Sequence, residues 1–154
     1  MYNFSITTIG KQKAGPEQEL AERYKKHIKP FAKINHVHLL DSKKGTATQI
    51  TKKDSEKLHH SLIPNAFHVL LTETGTTYSS KEFSAEIKNW SEHESRTIQF
   101  LIAGPRGVEP DLKKSMDASL SLSPMTFPHD IAHLVLLEQL YRTMTILHGK
   151  TYHY

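Results

Sequence analysis

The sequence has no cysteine and no long apolar run, and each absence excludes a class of protein. Without cysteine the chain forms no disulfide and has no thiolate nucleophile or thiolate metal ligand. No apolar stretch approaches the ~20 residues that span a bilayer. The opening "MYNFSITTIGKQK" lacks the basic and apolar regions of a signal peptide. We therefore expect a cytoplasmic protein with no membrane-spanning segment.

Several familiar catalytic motifs are also missing. There is no Gly-x-Ser-x-Gly, and "GPRG" is followed by no Lys-Ser/Thr pair, as a Walker loop would require. "HDIAH" puts His129 and His133 at i and i+4 on one helix face, a spacing that suits a metal. The zinc-protease pattern, however, needs Glu where Asp130 stands. Because no third ligand is fixed by the sequence, we predict no metal and interpret both histidines as solvated or core-edge side chains.

What the sequence does have is a basic excess, with a formal net charge of +4 and eleven histidines in 154 residues. A positive balance favours polyanionic partners such as RNA, although a slightly basic soluble protein would show the same balance. The length suits one domain with a single core, which we place at residues 1–154.

Strand-like and helix-like segments alternate along the chain. The Pro16 and Ser79–Glu82 patterns mark helix starts, the second as a capping box. Strands are predicted at 2–10, 34–41, 66–75, 96–104 and 119–123, and helices at 16–30, 49–64, 79–95, 108–118 and 128–147. This alternation predicts an α/β fold with a mostly parallel sheet and helices on both faces.

Three turns lie at the predicted carboxyl ends of strands, where open α/β sheets bind ligands. Their sequences are "LLTETG", "LIAGPRG" and "LSLSPMTFP". By itself "GPRG" is equally typical of a tight turn. The final helix is apolar over a wide arc, which predicts core packing and also contact with a partner subunit.

Motifs in the last fifty residues resemble those of a known enzyme family. "FLIAGPRG", "LSLSPMTFPH", "LLEQLYR" and the terminal "YH", with looser matches at "ITTIGK" and "LLTETGTTYSS", are similar to the RlmH-type pseudouridine-N3 methyltransferases of 23S rRNA, in the SPOUT superfamily. The resemblance implies methyl transfer from S-adenosylmethionine to N3 of a pseudouridine in the large subunit or the assembled ribosome. It also implies a homodimer and a C-terminal trefoil knot.

The resemblance also implies two sets of site residues. The cofactor set is Leu71, Gly104, Leu122, Ser123, Pro124, Met125, Thr126 and Phe127. The substrate set is His129, Arg142, Tyr152 and His153. An arginine suits a phosphate, and a tyrosine or histidine can stack on an exposed base. No residue is assigned as the general base.

Two positions depart from the family pattern. Ala103 stands before Gly104 where the family usually has Gly-Gly, and His133 stands where it usually has Arg. An imidazole has no permanent charge, so the second change predicts a pH-dependent substrate affinity. Two alternatives remain open: a SPOUT enzyme acting on tRNA or on another rRNA position, and a non-catalytic RNA- or ribosome-binding homologue.

Overall fold

A computed structural model describes residues 1–92 and 96–153, and in these residues strands and helices alternate as predicted. The strands are β1 (Tyr2–Ile9), β2 (Ala32–Leu39), β3 (Phe67–Thr76), β4 (Thr97–Ile102) and β5 (Ala118–Leu120). The helices are α1 (Pro16–Ile28), α2 (Ala47–His60), α3 (Ser80–Trp90), α4 (Pro110–Lys114) and α5 (His129–Leu147). The last residues of the predicted third helix, 93–95, lie outside the described residues.

The strands form one parallel sheet in the order β2-β1-β4-β3-β5. Since every pair is parallel, all strands end at one side of the sheet, which we call the carboxyl edge. Helices cover both faces, as expected for a parallel sheet. One apolar cluster joins the sheet to α1, α3 and α5, and a smaller one on the opposite face joins it to α2 and α4. The predicted α/β class is confirmed. No described helix is long and apolar enough to cross a membrane.

Capping boxes set the starts of two helices. The Ser79 side chain accepts from the Glu82 backbone N–H, and Glu82 accepts from the Ser79 N–H, as predicted. Thr46 and Gln49 form the same reciprocal pair, so α2 begins two residues before its predicted start at 49. The Thr-x-x-Gln spacing is a capping-box pattern in the sequence, and it would have predicted the start of α2 directly after Thr46.

The predicted bounds of α4 and β5 were too wide. Asp117 leaves the helical path because its carboxylate accepts from the His68 N–H at 2.7 Å and its own N–H donates to the His68 carbonyl. After Leu120, the Ser121 N–H donates to the Thr76 carbonyl, and the Ser121 hydroxyl donates to the Glu73 carbonyl. These bonds to β3 turn the chain out of the sheet before 123.

The end of β3 passes very close to β5. A Cβ built on Gly75 would lie 2.8 Å from the carbonyl carbon of Leu120 and 2.9 Å from that of Ser119. Real Cβ atoms do not approach backbone so closely, so only glycine fits at this crossing. The contact fixes the path of the loop that follows β5.

Candidate active site

A cavity of about 530 Å³ opens at the carboxyl edge, within the range of small-molecule sites. Its walls come from the three turns that the sequence singled out, after β3, β4 and β5, and from the first turns of α5. Each turn begins where a buried strand ends, so the sheet brings together segments that are far apart in the sequence.

Seven of the eight residues predicted to bind the cofactor line this cavity: Leu71, Gly104, Leu122, Ser123, Met125, Thr126 and Phe127. Pro124 lies within the same loop but does not line the cavity. A Cβ on Gly104 would meet only Ile9 Cγ2, at 3.6 Å, which is an ordinary contact. The backbone at Gly104 is thus open to a ligand, and its surroundings accommodate a small side chain.

The loop 121–128 is held in shape by polar contacts. The Ser121 bonds to β3 anchor its start, and the Met125 N–H donates to Ser123 Oγ at 3.0 Å. Pro124 and Pro128 further restrict the backbone. Met125, in contrast, is 75% exposed, so its flexible thioether side chain is free to cover a bound group.

Sequence reasoning missed several lining residues, among them Thr72, Glu73, Pro105 and Gly107. All four lie within the turns "LLTETG" and "LIAGPRG", so their position after a strand was the available signal in the sequence. "GPRG" does form a tight turn, with the Gly107 N–H donating to the Gly104 carbonyl at 3.1 Å.

His129 begins α5 and lines the cavity. Its Nε2 lies 3.3 Å from the carbonyl oxygen of Lys11. A Cβ at Gly10, whose φ is +133°, would lie 2.6 Å from the imidazole ring. The imidazole is therefore seated against the end of β1, at the boundary of the cavity.

The other predicted substrate residues form a second group, around Glu138. Its Oε1 accepts from Arg142 Nε at 3.1 Å and from the Tyr152 hydroxyl at 3.2 Å. The Arg142 guanidinium lies 4.8 Å from the centre of the Tyr152 ring, and its Nη1 is 3.4 Å from His153 Nδ1. The tail is thereby folded back on α5, where Tyr152 also packs on Tyr141.

The surroundings of Glu138 raise the pKa values of both Arg142 and Tyr152. The hydrogen bond to Glu138 raises the pKa of Arg142. Desolvation, with a hydrogen bond to Tyr24 and the charge of Glu138, raises the pKa of Tyr152 well above its usual value. Tyr152 therefore stays protonated at neutral pH and acts as a hydrogen-bond donor.

The structure does not bring the four substrate residues together within one chain. Arg142 follows His129 on the same helix, about 20 Å along its axis at about 1.5 Å per residue. Arg142, Tyr152 and His153 form one group, whereas His129 belongs to the cavity.

His133 differs from the expectation for a substrate-contacting side chain. It is 7% exposed, and its ring lies 3.9 Å from that of His36, which is 3.8 Å from that of His38. Burial and the nearby charge of Lys25 lower the pKa of His133 to about 3. A buried, neutral imidazole neither contacts solvent-borne RNA nor changes its charge near pH 7, so the expected pH dependence of substrate affinity does not follow.

His129 and His133 line the same small cleft beside α1 but have different contacts. The His129 ring contacts the end of β1, whereas the His133 ring packs on His36 of the edge strand. Across residues 1–92 and 96–153, no set of three or more His, Asp or Glu side chains is placed to hold a metal ion.

The fold is that of an α/β protein with a parallel sheet, and its cavity lies at the carboxyl edge, where open sheets of this class bind their ligands. Comparison with known proteins then gives the family. The family model described as "Predicted SPOUT methyltransferase" matches residues 2–153, and the chain belongs to that family.

Three relatives with the name "Ribosomal RNA large subunit methyltransferase H" are similar to this chain. The protein from Thermodesulfovibrio yellowstonii is 40% identical over 154 residues, which cover the whole of both chains. The one from Kosmotoga olearia is 40% identical over 99% of each chain, and the one from Desulfotalea psychrophila is 36% identical over 96% of this chain and 97% of its own. This chain is thus similar to them over nearly its full length.

Proposed function

We propose that this protein transfers a methyl group from S-adenosylmethionine to N3 of a pseudouridine in the 23S rRNA of the large ribosomal subunit. The observation that carries the proposal is the cavity assembled by three separate turns in a SPOUT methyltransferase. The name of the relatives supports large-subunit rRNA as the substrate, and the formal charge of +4 suits a polyanion. With ribosomes as the substrate, we expect the reaction to take place in the cytoplasm.

The cavity has the chemistry that S-adenosylmethionine requires. Leu71, Leu122 and Met125 are apolar side chains that can enclose an adenine ring, and turn backbone can pair with its polar edge. Gly104 lets backbone approach the ligand. Glu73 is the one acidic side chain among the described lining residues, and its negative charge complements a cationic sulfonium.

The residues of this chain would act by binding and orientation. S-adenosylmethionine, when bound, supplies an electrophilic methyl group on sulfur. Transfer of that group to N3 would release S-adenosylhomocysteine, and the N3 proton would pass to solvent water, since no residue is assigned as the general base. The hydroxyl proton of Tyr152 is already donated to Glu138, so Tyr152 would offer its aromatic ring to stack on the base. Arg142 would offer a cation to a phosphate, and His129 lines the cavity. Holding donor and acceptor together is itself a large source of rate.

A homodimer would unite the two groups of substrate residues. Within one chain His129 is about 20 Å from Arg142 along α5. An antiparallel contact between the final helices of two subunits would place one tail near the other subunit's cavity. The partly exposed apolar side chains of α5, such as Leu134 and Val135, supply a surface for this contact.

The close crossing at Gly75 supports the C-terminal trefoil knot that the family resemblance implies. Ser119 and Leu120 pass against the Gly75 backbone, and the following loop bonds to Glu73 and Thr76 before α5 begins. Such a threaded path is rare in proteins, and we propose it here on the family and on this contact.

The test has two steps. Calorimetric titration with S-adenosylmethionine should show one site per chain, and incubation with large subunits that lack the modification should place one methyl group on N3 of a pseudouridine, mapped by mass spectrometry. Methylation of tRNA or another rRNA position would replace the proposed substrate. RNA affinity without cofactor binding would indicate a non-catalytic homologue.

A further inference from the structure

A second groove lies at the carboxyl edge, beyond the ends of β1 and β2. Its volume is about 450 Å³. Four lysines line it, namely Lys11, Lys43, Lys44 and Lys53, together with residues 40–42. We call it the lysine groove. The lysines come from three separate segments of the chain, so the groove is a product of the fold and not of one basic run.

The positive charge of the lysine groove is not neutralised. Lys11, Lys43 and Lys44 are exposed and form no ion pair with any described residue. Asp41 is the one acid among the lining residues. Asp54, behind the groove, is already engaged, because its Oδ1 accepts from the Ser42 N–H at 2.9 Å and lies 3.8 Å from Lys57 Nζ.

Hydrogen bonds within the chain fix the walls of the lysine groove without a bound partner. Lys57 Nζ donates to the Leu40 carbonyl at 2.7 Å and to Ser42 Oγ at 3.0 Å. Downstream, the capping box of Thr46 and Gln49 fixes the start of α2. A basic groove with a preset shape loses little conformational entropy on binding.

The lysine groove and the candidate active cavity are neighbours. Lys11 lines the groove, while its carbonyl oxygen lies 3.3 Å from Nε2 of His129, which lines the cavity. A strand of nucleic acid with one base at the cavity would therefore carry its adjoining backbone across Lys11 toward Lys43 and Lys44.

We propose that the lysine groove binds the phosphate backbone of the rRNA strand that flanks the methylated nucleotide. The groove has no aromatic side chain among its lining residues, so it offers no platform for stacking a base. Lysine ammonium groups bind phosphates as point charges. Their spread over three segments suits an extended polyanion more than a single small anion. This inference rests on the proposed function, because it assumes RNA as the substrate.

Charge-neutralising variants test the groove. The double variant Lys43→Gln/Lys44→Gln should raise the KM for large subunits by about fivefold or more at moderate salt. The slope of log KM against log salt concentration should fall by about one to two, one unit for each lost phosphate contact. The kcat and the affinity for S-adenosylmethionine should not change, since neither lysine lines the cavity.

Two further variants serve as controls. Lys26→Gln/Lys29→Gln makes the same change in net charge at exposed positions near the end of α1, on the side of the sheet opposite the carboxyl edge, and should leave the KM and the salt slope unchanged. Lys43→Arg/Lys44→Arg keeps both cations and should restore wild-type binding. Equal KM values and equal salt slopes for the groove and control variants would overturn the proposal.

The test of RNA binding in the lysine groove can be separated from the test of methyl transfer. If the wild-type chain transfers no methyl group, the affinity for large subunits is measured directly instead. Weaker binding by Lys43→Gln/Lys44→Gln but not by Lys26→Gln/Lys29→Gln would support phosphate binding in the lysine groove, and equal binding by both variants would overturn it. Binding that still depends on Lys43 and Lys44 after RNA digestion would identify an acidic protein partner and would also overturn it.

Discussion

The carboxylate of Glu138, on α5, accepts a hydrogen bond from the hydroxyl of Tyr152, in the C-terminal tail, at 3.2 Å. The same oxygen accepts from Arg142. One carboxylate thus fixes the orientation of two side chains that we propose to meet the RNA, and Glu138 acts as a positioning residue.

Replacing Glu138 by glutamine tests this role. The amide keeps the shape but loses the charge, and hydrogen bonds to charged groups contribute about 1.5–3 kcal/mol. We expect kcat to fall by about 10-fold or more with cofactor affinity unchanged, and the backbone amides of the tail to exchange hydrogen faster. Glu22→Gln, which removes the exposed pair with Lys25, is the control and should leave both readouts unchanged. Wild-type kcat and tail exchange in Glu138→Gln would exclude the positioning role.

The tail itself is predicted to be needed for methyl transfer. Termini are usually dispensable unless tied down, and here Tyr152 packs on Tyr141 with ring centres 4.7 Å apart. Deleting residues 151–154 should leave the fold, dimer and cofactor affinity nearly unchanged while single-turnover methyl transfer falls by at least ~10²-fold, through the loss of positioning contacts. Full activity in the truncated protein would show that the tail is not part of the site.

Gly104→Val should abolish cofactor binding without unfolding the protein. The nearest atom to a Cβ at this position is 3.6 Å away, so the fold tolerates the first carbon of the side chain. The branched methyl groups would then occupy the cavity where a ligand approaches the backbone. Calorimetry with S-adenosylmethionine measures the effect, with thermal unfolding as the control for folding. Wild-type affinity in a folded variant would mean that the cofactor binds elsewhere.

Stability should decrease in acid because of His133. Burial lowers its pKa to about 3, whereas an unfolded histidine titrates near about 6.5. Between these values the unfolded chain binds a proton that the native protein does not, so the free energy of unfolding falls as the pH falls, by up to about 1.4 kcal/mol per pH unit.

Urea unfolding at about pH 7, 6 and 5 measures that slope. His133→Gln removes one titrating group and should make the slope shallower without abolishing it, because burial also lowers the pKa of the neighbouring His36 to about 2. His60→Gln, at an exposed position on α2, should leave the slope unchanged. The prediction is wrong if all three proteins lose stability at the same rate as the pH is lowered.

The protein should be a dimer in solution. Light scattering at micromolar concentration is expected to give about twice the chain mass, because the exposed part of the apolar face of α5 needs a partner. A monomer that remains fully active would contradict the sharing of one site between His129 of one subunit and Arg142 of the other.

The sequence by itself determined the order of the elements, the α/β class and the turns that line the cavity. These properties depend on local features: alternating or helical apolar spacing, prolines at helix starts, and capping pairs such as Ser79 and Glu82. The wrong bounds of α4 and β5 came from contacts with β3, made by Asp117 and Ser121 across long stretches of chain. Such contacts have no local signal.

Only the tertiary structure decided which of the singled-out residues lie together. The sheet order β2-β1-β4-β3-β5 places the end of β1 beside the loop after β2, which creates the lysine groove, and it buries His133 beside His36. The length of α5 separates His129 from Arg142, and the folded-back tail makes Glu138 the partner of Tyr152. Proximity between distant segments follows from how strands pair and helices pack, and that choice depends on the free energy of the whole core, not on the residues nearest in sequence.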